Sequence, residues 1–369
     1  VANNTFGGGT LLSQWPILKF GVNDALAGTG AITIGDGVST AAKGNIDLAG
    51  FTVSNAINIA NRATTALIYT SQGSANLTGP VTITTTTTGA VTFGAYAGST
   101  LTVSGSITGG TSAIKIGYAS GAFNNTSVGA GAGTVVFSGS AVVNGYTGST
   151  TILNGATLDI KFDSATTSTA DPAFTSTYLV GTGGGSVIIE PFTSGGTISL
   201  GLTGSTLNLP LALFTGTSAA GRKFADGFTN ITIGASTAGN IGVTGAATFS
   251  DSVAIVSGGN ITINSGASIS DTQASGNLVI AALGNFINNA GSSALATTDA
   301  GTVDRWIVYS ASPASDTFGG LVSGNKAYWG STYLSAPPAV IGTGNRYVFG
   351  DSPTITTTDA QKTYGNTVD

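Results

Sequence analysis

The chain has 369 residues, with 11 Lys and Arg against 16 Asp and Glu, and a net charge of -5. Only 7% of its residues are charged while 41% are apolar, so Thr, Ser, Asn and Gly must form an exterior where an average soluble domain uses about 25% charged residues. The lack of Cys and His excludes disulfides, thiolate metal centres and the commonest general base. The acidic balance argues against a phosphate-binding nucleic-acid surface, and no apolar run reaches the roughly 18 residues of a membrane-spanning helix.

Taken from the N-terminus, residues 1–30 form an irregular entry segment or cap, marked by Trp15, Pro16, Lys19 and Phe20. Residues 31–298 repeat a three-residue unit, apolar at its first and third positions and small or polar between, bounded by Gly, Asn or Ser. Val81-Thr82-Ile83, Val91-Thr92-Phe93 and Leu101-Thr102-Val103 are copies. Further copies are Ile231-Thr232-Ile233, Ile241-Gly242-Val243, Ala247-Thr248-Phe249, Val253-Ala254-Ile255 and Ile261-Thr262-Ile263. Such alternation predicts short strands whose middle residue faces water. Helix signals are scarce, since Gly and β-branched residues are everywhere and Glu occurs once, at Glu190. The 57 glycines punctuate the triplets, so they mark corners rather than disorder.

Many strands this short, joined by irregular corners, fit stacked coils better than a sandwich or barrel. The expectation is an all-β parallel β-helix, or β-solenoid, with irregular end caps. Coils of roughly 20 to 30 residues predict about 12 to 18 coils and a rod of about 60 to 85 Å. Asn45, Asn55, Asn58, Asn61, Asn260, Asn264, Asn285, Asn288 and Asn289 lie at strand edges, where Asn can bond from coil to coil and accept corner geometry. Residues 299–350 concentrate Trp306, Tyr309, Phe318, Tyr328, Trp329, Tyr333, Tyr347 and Phe349 with Pro313, Pro337 and Pro338, and read as an aromatic C-terminal cap or junction. Residues 351–369 read as a linker and the start of a further module.

The stretch Gly133-Thr-Val-Val-Phe-Ser-Gly through Tyr146-Thr-Gly-Ser-Thr-Thr to Asn154-Gly-Ala-Thr-Leu-Asp-Ile160 resembles the autotransporter-associated β-strand repeat. Gly284-Asn-Phe-Ile-Asn-Asn-Ala-Gly291, followed by Arg305-Trp-Ile-Val-Tyr-Ser310 and Asp316-Thr-Phe-Gly-Gly-Leu321, resembles the end of the β-helical region in filamentous-haemagglutinin-type exoproteins. Lys362-Thr-Tyr-Gly365 is similar to the start of Lys-x-Tyr-Gly surface repeats. The resemblance implies a right-handed β-helix shaft in a longer exported protein of a Gram-negative bacterium. Its place would be extracellular or on the outer cell surface, in adhesion, aggregation or biofilm. Partners would be surface glycans or proteins, or another copy stacked end to end, with no nucleic acid and no membrane insertion.

Some β-helical proteins instead cleave polysaccharides as lyases or glycoside hydrolases, which needs carboxylates, bases or calcium on one face. The densest such cluster is Asp159, Lys161 and Asp163. Alternation places all three on the solvent face with the two Asp about 13 Å apart, beyond the roughly 5 to 9.5 Å of hydrolase carboxylate pairs. A surface ion-pair ladder is the reading taken. Gly35-Asp36-Gly37 is isolated from any calcium-loop pattern and reads as a corner. Arg222-Lys223-Phe224 with Asp226 reads as a solvated loop. No catalytic residue, cofactor or metal is therefore expected, and the remaining binding candidates are Trp306, Tyr309, Tyr328, Trp329 and Tyr333. These would stack sugars or dock an end, although burial in a cap core competes with that role.

Overall fold

The computed structural model describes residues 8–13, 16–24, 30–36, 43–60, 65–84, 90–109, 112–120, 130–139, 148–153, 155–164, 179–182, 184–214, 224–273, 276–298 and 304–353. It is a β-solenoid of about nine turns, 46% strand and 4% helix. Parallel strands stack into sheets of twelve, eight, five, five and three members. The triplets form where alternation places them: Val81–Ile83, Thr100–Val103, Ile241–Val243 and Ile261–Ile263 are strands. Their apolar flanks are buried, while Thr82, Thr102 and Thr262 remain partly exposed.

The expected 12 to 18 coils are corrected to about nine, because the connections between strands are longer and less uniform than the triplet spacing suggests. Strands of the twelve-stranded sheet that start at Thr52 and Ser74 are 22 residues apart, whereas those starting at Ser186 and Asn230 are 44 apart. The twelve stacked strands of the longest sheet, about 4.8 Å apart, make a shaft of roughly 50 Å.

In-register pairing places like on like inside the coil. Along one inward row of the twelve-stranded sheet, Val103, Phe137, Ile160, Ile189, Ile233, Ile255, Ile280 and Val308 succeed each other, all buried in one continuous core. Asn side chains link coils by a route other than amide-on-amide stacking. The Asn260 N–H donates to Asn240 Oδ1 and the Asn285 N–H to Asn260 Oδ1, both at 2.8 Å. Each side chain thus accepts from the backbone of the next coil.

The outward positions depart from expectation. Thr92, Ala254 and Val279 are buried, so the middle residue of a unit does not always face water. Two outer clusters cover such positions. On the eight-stranded sheet Leu67, Tyr69 and Tyr118 pack together, with the Tyr118 ring lying where a side chain at Gly94 or Gly131 would collide with it. On the twelve-stranded sheet Ala254, Val256, Val279, Ala281, Ile307, Tyr309, Ile341 and Val348 form a larger one. The covering element there is a strap, residues 327–342, that folds back over the sheet.

Arg305 fastens this strap. Its guanidinium donates to Ile341 O and Pro338 O at 2.7 Å each and to Gly342 O, while its Nε holds Asn277 Oδ1 at 3.0 Å. The Tyr309 hydroxyl donates to Ala336 O at 2.9 Å, and the Gly342 N–H donates to Tyr328 Oη at 2.8 Å. The ladder runs across residue 299 through Arg305–Ser310 and Arg346–Phe349, so residues 299–350 include strands of the shaft's own sheet. At the other end Ile17–Lys19 pairs with Lys43–Asp47 and Phe20 is buried, while Trp15 lies outside the described residues.

Replacing the buried guanidinium leaves carbonyls without donors, so Arg305→Met should lower stability by about 2 to 4 kcal/mol. Amide exchange should rise across 327–342 before it rises in the shaft. Ile255→Ala, a cavity in the inward row, should cost about 2 to 5 kcal/mol in a denaturant titration with the strap amides unchanged relative to the rest.

Candidate functional site

Strand Thr157–Lys161 pairs with Ser186–Glu190, so that Asp159 lies opposite Ile188 and Lys161 opposite Glu190. Alternation turns Asp159 and Lys161 to the outer face, and the next coil adds Glu190 beside them. Lys161 Nζ lies 3.4 Å from Asp159 Oδ2 and contacts Glu190 Oε1. The cluster differs from the surface ladder expected. Asp159 and Glu190 are both buried, each 6% exposed, and Asp159 Oδ1 has no hydrogen-bond partner. Asp163 stands apart beyond the strand end, exposed, and accepts from the Thr193 N–H and hydroxyl.

Burial, and then the neighbouring Glu190 carboxylate, push Asp159 up to about 7 against the opposing pull of Lys161. Burial draws the Lys161 ammonium down, but its bond to Glu190 and the charges of both acids outweigh this and raise it. Near neutrality Asp159 therefore stands close to the midpoint of its titration, with the Lys161 ammonium and Glu190 beside it.

Glu190 also forms part of the wall of a cavity of about 400 Å³. This cavity opens where the outer face is changing character. Towards the N-terminal coils the two outward rows are mixed, carrying Thr102, Val136 and Asp159 in one and Ser138 and Lys161 in the other; towards the C-terminal coils they carry Ala254, Val279, Val256, Ala281 and Tyr309. Ile188, Val256, Leu283, Tyr333 and Leu334 supply the apolar walls. At the floor Gly234 has a φ of 83° and a Cβ there would run into the Val256 carbonyl, so this bend in the strand requires glycine.

The five aromatic candidates do not share one surface. Trp306 is buried in the solenoid interior against Tyr347, ring centres 5.1 Å apart. Tyr309 points the other way into the outer cluster, 5.4 Å from Tyr333. Tyr328 and Tyr333 are half-buried on that cluster, and Trp329 is exposed and leans on Phe349. Arg222 and Lys223 lie outside the described residues, as do Gly37 and Lys362 to Gly365. Gly35 has a φ of 89°, a corner conformation.

Two arrangements escaped sequence reading. The partnership of Glu190 with Lys161 needs the register between coils, although aligning Leu158-Asp-Ile-Lys161 on Val187-Ile-Ile-Glu190 by their shared alternation would have found it. The second is Asp271, which stands on an inward row opposite Phe249 and Leu295's neighbour Thr297. Burial pushes it up to about 6; the Gln273 N–H opposes this, and Asp304 and Asp251 add to it. Among the described residues no group of three or more acids is placed to hold a metal ion.

Fold and site together define a parallel β-solenoid carrying one buried acid–lysine–acid cluster beside an apolar cavity. Comparison with protein-family models, curated proteins and solved structures finds no match to this chain.

The raised carboxyls fix the sign of a pH effect. A folded-state value above the unfolded 3.8 means that the folded chain binds protons more tightly, so stability falls as pH rises through the window from 3.8 to about 7. Each such group contributes at most about 1.4 kcal/mol per pH unit within its window. The thermal midpoint should therefore climb as pH is lowered from 8 to 5, and Asp159→Asn should raise stability at pH 8 and flatten that climb.

Proposed function

We propose that this chain is a non-catalytic structural and adhesive segment of a secreted bacterial surface protein, acting in adhesion, aggregation or a biofilm matrix. The supporting observation is the use made of its scarce carboxylates. Asp24 accepts from the Ser54 N–H, Asp47 from Ser71, Asp163 from Thr193, Asp251 from the Gly227 N–H, Asp304 from the Gly276 N–H and Asp316 from the Phe286 N–H. Each bond joins residues 24 to 30 apart in sequence, that is, segments of neighbouring coils. Acids spent in this way serve rod cohesion.

An adhesive rod works by repetition along its length, and the Thr-, Ser- and Asn-rich exterior offers many weak hydroxyl and amide contacts. Low charge also leaves little repulsion between rods. Its sites of action in this reading are the extracellular space and the outer surface of a Gram-negative cell, with surface glycans, proteins or further copies as partners.

The Asp159–Glu190 pair supports a second reading, a β-helical lyase or glycoside hydrolase, because two coupled carboxyls are what acid–base cleavage uses. The cavity beside Glu190 argues against it: its walls of Ile188, Val256, Leu283 and Leu334 give sugar hydroxyls few partners.

Two assays separate the readings. Beads coated with the chain should be retained on bacterial cells or matrix polysaccharide, and acidic and neutral polysaccharides should stay uncut. Turnover that disappears in Asp159→Ala, with no bead retention, would replace the adhesive reading by the enzymatic one. Negative-stain images test assembly: discrete rods near the roughly 50 Å of the stacked coils indicate a unit that continues only covalently, and long fibres indicate end-to-end stacking.

A further inference from the structure

We infer that the cavity between the twelve-stranded sheet and the strap is a binding site for a small apolar molecule bearing a cationic amine, its body held among Ile188, Val256, Leu283, Tyr333 and Leu334 and its ammonium by Glu190.

Size comes first. About 400 Å³ falls within the roughly 300 to 1,000 Å³ of sites that take small organic molecules. Chemistry comes second, since apolar walls with a single charged group at one side both bury a hydrophobic body and orient a polar head. Leu283 is 48% and Leu334 79% exposed at this cavity; large apolar side chains gathered at one opening are the mark of a ligand or partner surface.

Charge selects the head group. Asp159 and Glu190 together outnumber Lys161, the cation that contacts them, so the cluster lacks one positive charge when both acids are ionised. Asp159 is not itself in the cavity wall; it adds its charge beside Glu190, which is. An entering ammonium supplies that charge. An anionic head would meet Glu190 with a like charge in a poorly solvated place, and a neutral hydroxyl would leave the deficit as it is.

The walls are formed before any ligand arrives. The strap side that carries Tyr333 and Leu334 is bound to the sheet through Arg305 and Tyr309. Affinity therefore need not offset the ordering of a loop.

Three probes that differ only in head group test the inference: 4-phenylbutylammonium, 4-phenylbutanol and 5-phenylpentanoate, titrated calorimetrically into the whole chain at pH 7.5. The ammonium should bind in the sub-millimolar range, at least about tenfold more tightly than the alcohol, with the carboxylate weakest. Glu190→Gln should weaken the ammonium by about tenfold or more and bring it level with the alcohol. Leu334→Ser, at an exposed position that the fold does not need, should weaken ammonium and alcohol alike. The inference is overturned if the carboxylate binds as well as the ammonium, if no probe binds up to its solubility, or if both variants, folded by circular dichroism, bind the ammonium unchanged.

Discussion

Everything in this molecule depends on parallel, in-register pairing between coils, in which each residue stands about 4.8 Å from its counterpart in the coil before and the coil after. Inside, that rule is favourable: Ile233 on Ile255 on Ile280 stacks like shapes into a continuous core. Outside, it makes charge costly, because a lysine or glutamate repeated at the same position would face its own sign on both sides. A chain built on this rule is driven towards Thr, Ser and Asn, which stand one above another without repulsion. The 7% charged content follows from the architecture.

The charges that remain are placed with corresponding care. Asp47 takes bonds from Ser71 and the Ala49 N–H while facing Lys19 at 3.4 Å. It stitches three stretches of chain. Asp159 and Glu190 break the pattern, being two acids diagonal to one another on adjacent coils with Lys161 in contact with both, and they lie where a mixed outer face gives way to the covered apolar one. The strap exists because of that gradient: Ala281, Ile307 and Val348 would otherwise be open to water, and residues 327–342 cover them.

Local structure was legible in the sequence wherever alternation alone decides it. Ile241-Gly242-Val243 and Ile261-Thr262-Ile263 are strands because Val, Ile and Thr suit a pleated surface and Gly or Asn ends each run. What alternation cannot carry is the identity of the covering partner. It assigns Ala254 and Val279 to the outer face correctly, but they are covered by Tyr333 and Ile341, 54 to 87 residues away in the chain. Coil number failed for a related reason: triplet spacing measures strands, while turns are set by connections of very different length. The site was half visible. Asp159 and Lys161 share a strand and could be paired by eye, but Glu190 joins them only through register, and register is a property of two coils at once.

The uneven coils have a mechanical consequence. Because the backbone bonds between coils run along the rod axis, tension applied at the ends opens them in sequence rather than shearing many together. A coil of 24 residues, such as that from Thr52 to its partner Asn76, pays out about 80 Å of chain when it peels away, and the 44 residues from Ser186 to Asn230 about 150 Å. Bonds such as Asp251 to Gly227 and Asp304 to Gly276 set separate thresholds along the way. Under load the shaft would lengthen in unequal steps, a brittle-looking stack behaving as a graded absorber of force.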